Sequence, residues 1–208
     1  MLRGFREAQS LIRRSSYKLT HHPDPESAKK KNIIDMAIGF TAMMRNFSEG
    51  SKAKIEETLE DFVGNLVNIN TRDEYEACHR KFCVWFADEI VTAEKKLKNG
   101  AVQPSQAASY GHGAKVLDIA IKVCVYYCSQ PNVKTARRIE PLLNGAIDTP
   151  ILKELKSIYT TTPIPAKTIQ EVDEETYRVL QSLVLRESLS LNVHPVQYDD
   201  IKWRQLNR

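Results

Sequence analysis

No stretch of this sequence approaches the roughly 18 uninterrupted apolar residues that a membrane-spanning helix needs. The richest one, Val116 to Tyr127, is interrupted by Asp118 and Lys122, so a membrane association is not expected. A continuous apolar leader is missing too, because Arg6, Glu7, Arg13 and Arg14 break the first apolar patch too early for a secretory signal. The expectation is a chain that begins at Met1 and stays in the cytoplasm. Cysteine is scarce, with 4 in 208 residues and no dense spacing, which excludes a disulfide framework and suggests reduced thiols in a core. Apolar and polar residues nowhere alternate beside Asn-Gly or Asp-Gly turns in the way that announces hairpins. No G-x-S-x-G elbow, H-E-x-x-H helix, EF-hand loop, fixed-period repeat or low-complexity tract is found. Gly111-His112-Gly113 lacks the Lys-Ser/Thr ending and the preceding strand of a phosphate loop, and reads as an adjustment at a helix start.

The content that is present is helical. With 42% hydrophobic and 27% charged residues the composition is that of an ordinary folded domain. Apolar residues recur three and four apart almost throughout, as on one buried helical face. The spacing predicts an all-α fold: a single compact domain of about 8–9 helices with a central buried helix near 113–129. A basic helix over Leu2 to Leu19 is expected first, then one capped by Asp24 and running to about Phe47. Next comes a helix through Ile55 to Leu66, and then a long one opened by a Thr71/Glu74 capping box and ending at Leu97 before Asn99-Gly100. The central helix is expected to end at Pro131. Val133 to Leu143 and Pro150 to Tyr159 follow, the latter capped by Thr149, then a helix capped by Asp173 and one begun by Pro195. Residues 1–159 would form the core with its basic N-terminal helices, 160–171 a proline-containing connection, and 172–208 a helical pair packed on that core.

Charge is unevenly placed. The net charge is +4, yet residues 1–54 alone hold 11 Lys or Arg against 5 Asp or Glu. Arg3, Arg6, Arg13, Arg14 and Lys18, with Lys29, Lys30 and Lys31, form the candidate nucleic-acid surface, since phosphate neutralisation needs clustered cations. No zinc-finger spacing or RNP aromatic pattern accompanies them, so a solvated basic face is the competing reading. Lys115 and Lys122, seven apart, share a helix face that could also meet a phosphate, although lysines snorkelling from a core helix do the same. Cys78, Cys83, Cys124 and Cys128 have poor spacing for zinc, and no metal or other cofactor is expected.

Two stretches, Arg14 to His21 and Arg72 to His79, match an R-x(4–6)-H pattern that resembles the nuclease motif of HEPN-type ribonucleases, helical proteins in which Arg and His cleave RNA without metal. Arg72 and His79 stand about two helical turns apart, so a guanidinium could steady a phosphate while an imidazole moves a proton. About one such match is expected by chance from the His and Arg content of this chain. The alternative is that Arg72 is a solvated first-turn residue and His79 a structural histidine.

The order of features over residues 75–206 resembles a group of uncharacterised prokaryotic helical proteins, often encoded in mobile or phage-related regions. The resemblance is carried by the Tyr75 to His79 step and by Tyr110-Gly111-x3-Lys115-x-Leu117-Asp118 with Lys122. Ile147-Asp148-x-Pro150-Ile151-Leu152, Tyr177 with Gln181, and Trp203 complete it. The sequence departs from that pattern at Asp118, where an Asn-type residue would follow leucine, and before Ile147, where a Pro-His or His-Cys pair would stand. The resemblance implies a compact all-α fold and no established activity.

The functional expectation is a non-enzymatic intracellular binding protein, nucleic-acid-associated or acting on a protein partner, of phage or mobile-element context. The alternatives are a metal-independent ribonuclease using Arg72 and His79, and an inhibitor or structural partner of another protein. The oligomeric state is left open.

Overall fold

The computed structural model describes residues 24–96 and 100–206. Its contacts divide the chain into two units, Met1–Asn32 and Ile33–Arg208. The expected helix over Leu2 to Leu19, with Arg3, Arg6, Arg13, Arg14, Lys18 and the Arg14 to His21 pair, lies outside the described residues.

Eight α-helices are present among the described residues: α1 (Pro25–Phe40), α2 (Ser51–Asn65), α3 (Arg72–Glu89), α4 (Tyr110–Ile121), α5 (Val133–Ile139), α6 (Thr149–Ile158), α7 (Glu174–Ser190) and α8 (Pro195–Leu206). The fold is all-α, and none of these helices is long and apolar enough to cross a membrane. Local chemistry sets most boundaries. Asp24 accepts from the Ser27 amide at 3.2 Å, satisfying one of the orphan donors at the start of α1. At α3, Thr71 Oγ1 accepts from the Glu74 amide at 3.2 Å while Glu74 Oε2 accepts from the Thr71 amide at 3.0 Å, a closed capping box. Asp173 caps α7 through the Thr176 amide at 2.8 Å, and Pro195 opens α8.

Four expectations are corrected. The first described helix ends at Phe40, not Phe47: Thr41 Oγ1 donates to the Ile38 carbonyl at 2.8 Å, competing with the helical ladder, and a 3₁₀ turn over Ala42–Asn46 follows. The long helix α3 ends at Glu89 rather than Leu97, because the β-branched run Ile90-Val91-Thr92 leaves the helix. Val91 and Thr92 instead form bridges to Ala107 and Phe47. A short antiparallel pair, β1 (Lys95–Lys96) and β2 (Val102–Gln103), follows where no hairpin was expected. Gly100, with φ of 83°, serves its connection instead of capping a helix. Finally, α6 is capped by Asp148, whose carboxylate accepts from the Ile151 amide at 2.9 Å, with Thr149 inside the helix. A carboxylate at a helix N-terminus also meets the positive end of the helix dipole.

The central helix is as buried as its apolar run implies: Val116, Leu117, Ala120 and Ile121 are all inaccessible. It packs most extensively along α3, and the glycines explain how closely. A Cβ on Gly113 would stand 2.8 Å from Phe86 Cβ, so only glycine permits this approach. Beyond Ile121 the same rod continues as a π-helical segment, Lys122–Tyr127. Residues 160–171 carry buried Ile164, Ala166 and Ile169, and their 3₁₀ turn (Ile169–Glu171) packs against α4. Helices α6, α7 and α8 pack on one another.

Candidate functional site

Arg72, Glu76, His79 and Cys83 stand four, three and four residues apart in sequence and form one stripe of α3, as the helical repeat requires. Across from that stripe lie Asp118 of α4, Tyr177 of α7, and Asn144 from the segment joining α5 to α6. These residues form one chain of hydrogen bonds through the core. His79 Nε2 lies 3.0 Å from Asp118 Oδ1 and 3.0 Å from the Tyr177 hydroxyl. The Tyr177 hydroxyl donates to Asp118 Oδ2 at 2.7 Å and accepts from Asn144 Nδ2 at 3.0 Å. Arg72 Nη2 donates to Asn144 Oδ1 at 2.6 Å, its Nη1 to the Leu142 carbonyl at 2.8 Å, and its Nε to Glu76 at 2.7 Å. At the far end, His79 Nδ1 is 3.5 Å from Cys83 Sγ. The Tyr177 ring stacks on the imidazole with 5.1 Å between centroids and 11° between planes.

This network is deeply buried: the side chains of His79 and Asp118 are 3% and 0% exposed. Burial by itself would drive the imidazole proton off. Cys83 and the Asp118 carboxylate outweigh it and raise the His79 pKa to about 10. His79 is therefore an imidazolium at neutral pH, with Nε2–H directed at Asp118 and the tyrosine oxygen. Burial and the same carboxylate push the Tyr177 hydroxyl well above its ordinary range, so it stays a donor.

The network forms the floor of a cavity of about 770 Å³ between α3 and α7, within the size range of ligand sites. Its walls include the apolar surfaces of Tyr110, Pro141, Leu142 and Leu185. Three arginines line it. Arg72 is tied to Glu76, and Arg80 is paired with Glu174 at 2.7 Å. Arg178 also lines the cavity and is exposed; it has no ion-pair partner among the described residues.

Arg72 and His79 thus line the same cavity, with Arg72 half-buried and hydrogen-bonded to Glu76, Leu142 and Asn144. Asp118, Tyr177 and Asn144 were not singled out as site residues from sequence. The available signal was Asp118, a lone carboxylate inside an apolar helical run, which demands a buried partner. Lys29, Lys30 and Lys31 are exposed on α1, Lys29 standing 4.0 Å from Glu26. Lys122 is not available to a phosphate, since its ammonium is held by Asp199 and Asp200. Lys115 is partly buried, and that burial lowers its pKa. The four cysteines are free thiols, and no three His, Cys, Asp or Glu among the described residues are grouped to hold a metal.

Compared with known proteins, the chain matches no family model, no curated protein and no solved structure.

Proposed function

We propose that the protein is a non-enzymatic binding protein that seats a nucleotide of a single-stranded nucleic acid in the α3–α7 cavity. One observation carries this reading. The polar groups on the cavity floor are bonded to one another, while at the wall Arg178 has no carboxylate partner among the described residues and stands with apolar and aromatic surface. A ligand with a flat body and an anionic group suits that combination: the base lies against Tyr110, Leu142 and Leu185, and the phosphate meets Arg178 and the remaining donors of Arg80. Stacking and phosphate contacts of this sort are the usual basis of single-strand binding. A floor whose imidazole keeps its proton to about pH 10 is suited to holding shape rather than exchanging protons near neutrality. The basic N-terminal set from Arg3 to Lys31 remains, on its charge alone, a separate candidate for binding phosphates, and a cytoplasmic, phage or mobile-element setting belongs to the same proposal.

The test is fluorescence anisotropy of labelled RNA and DNA 12-mers over a series of salt concentrations. The expected result is saturable, salt-sensitive binding that Arg178→Ala weakens about tenfold, the equivalent of about 1.4 kcal/mol. Binding that Arg178→Ala leaves unchanged overturns the placement in the cavity, and no binding of either strand overturns the function.

The ribonuclease reading draws support from one fact, that Arg72 and His79 line the same cavity. It requires RNA cleavage that disappears in His79→Ala. The binding reading expects the 12-mer RNA to be recovered intact.

A further inference from the structure

The first turn of α4 has a recess on each side. Tyr110 lines the cavity described above, and His112, two residues on and so about 200° around the helix, lines a second recess of about 540 Å³. This second recess is built from the 3₁₀ turn at 42–46, the bridged strand segment after α3, the return segment at 103–106 and Gln170.

We infer that this recess is a second ligand site, independent of the α3–α7 cavity, which takes a phosphate group through His112, Arg45 and Lys95. His112 supplies the fixed element. Its Nδ1 accepts from the Ser109 amide at 3.2 Å while its own amide donates to Ser109 Oγ at 3.3 Å. That capping box selects the tautomer: with Nδ1 occupied as an acceptor, the ring proton sits on Nε2. The ring is held further by an edge-on contact with Phe47, 6.0 Å between centroids. Burial, and then Lys115, lower the pKa of His112, so the group presented is a neutral N–H donor.

The charges around it are unspent. Arg45 and Lys95 line the recess, and neither has an ion-pair partner among the described residues. Among the described residues Glu94 is the only carboxylate in the lining, too few acidic oxygens for a cation site. The carboxamides of Asn46, Gln103, Gln106 and Gln170 make no side-chain hydrogen bond among the described residues, so they are available to a ligand. A guanidinium fork, an ammonium and an imidazole N–H are three donors of different geometry on separate segments. A tetrahedral oxyanion offers acceptors to donors that approach from separate directions, whereas a planar carboxylate offers its two oxygens in one plane, the arrangement that a single guanidinium fork matches.

Two sources carry this group, free inorganic phosphate and a small phosphate monoester, and they are separable. The uniformly ¹⁵N-labelled full chain is titrated with sodium phosphate, and separately with glycerol phosphate, at constant ionic strength. The expected result is a saturable shift of the His112 Nε2–H resonance and of the Arg45 and Lys95 amides. Arg45→Ala and Lys95→Ala should each weaken it at least tenfold, while Arg178→Ala in the other cavity leaves it unchanged. His112→Gln retains a side chain able to close the capping box and removes the imidazole donor, so a matching loss of affinity with an unchanged melting temperature assigns the contact to the ring. Tighter binding of glycerol phosphate identifies an ester as the ligand; equal or weaker binding identifies free phosphate. Shifts that rise linearly without saturation, or that survive both Arg45→Ala and Lys95→Ala, overturn the site.

Discussion

His79 and Asp118 stand 3.0 Å apart, Nε2 to Oδ1, and each is the reason the other can be charged inside the core. A buried ion is tolerated only with an opposite charge and filled hydrogen bonds. Asp118 has both through His79 and Tyr177, and His79 has both through Asp118 and Cys83.

Breaking that pair from one side should therefore be severe. Asp118→Ala leaves the imidazole without its counter-ion, and the expected loss is about 3–5 kcal/mol in urea denaturation. The His79 pKa should also fall from about 10, because burial is then opposed by Cys83 alone. Histidine ¹⁵N chemical shifts followed against pH check this, and a His79 that titrates no lower in the variant than in the native protein contradicts the account.

The stability of the native protein should depend on pH through the same group. The folded pKa of His79 lies above the unfolded value of 6.5, at about 10, so its contribution is complete below 6.5 and is lost as pH rises through 10. Stability is expected to decline by roughly 1.4 kcal/mol per pH unit over that window. His112 works in the opposite sense: its folded pKa is lowered, so its contribution is present above 6.5 and is lost as pH falls. Thermal melts of the native chain and His79→Gln between pH 5 and 10 separate them. The variant should keep the acid limb and lose most of the alkaline one.

Gly113→Ala tests the close approach of α3 and α4. The added methyl would stand 2.8 Å from Phe86 Cβ and 3.3 Å from Cys83 Cα, a clash with a buried side chain and a helix backbone. A helical alanine would otherwise stabilise relative to glycine, so the sign of the change is informative. The expectation is a net loss of about 1–3 kcal/mol, read from the urea midpoint.

A second buried pair anchors the C-terminal helix. The carboxyl of Asp199 is pushed up by burial and drawn down by Lys122, resting at about 6. Lys122→Met removes the cation and leaves Asp199 unpaired, at a cost of about 3–5 kcal/mol. Adding Asp199→Leu should restore most of it. Limited proteolysis should find α8 cut faster in the single variant and at the native rate in the double one.

Much of this architecture could be read from local sequence. Thr71 with Glu74, Asp173 and Pro195 each announced a helix boundary because a cap is a matter of neighbours within four residues. The end of α3 was not legible in the same way, since Val91 and Thr92 are drawn off the helix by partners at Ala107 and Phe47 that lie far along the chain. The site was half legible for a similar reason. Arg72 and His79 share one helix and their spacing could be counted, whereas Asp118, Asn144 and Tyr177 arrive from three other segments. Only folding brings those three to the imidazole.

The π-helical stretch from Lys122 to Tyr127 gives the central rod two phases. Upstream of it, the face that carries Asp118 is in register with α3. Downstream, the wider winding lets Lys122 and Tyr127 both reach Asp200 while Val123, Cys124 and Val125 stay buried. Excising a single residue from this stretch would return the rod to ordinary pitch, and because a π turn takes about one residue more than an α turn, everything after it would keep roughly its present facing. The extra residue is absorbed at the middle of the rod, so the imidazolium and its carboxylate upstream and the grip on the final helix downstream each keep their own partners.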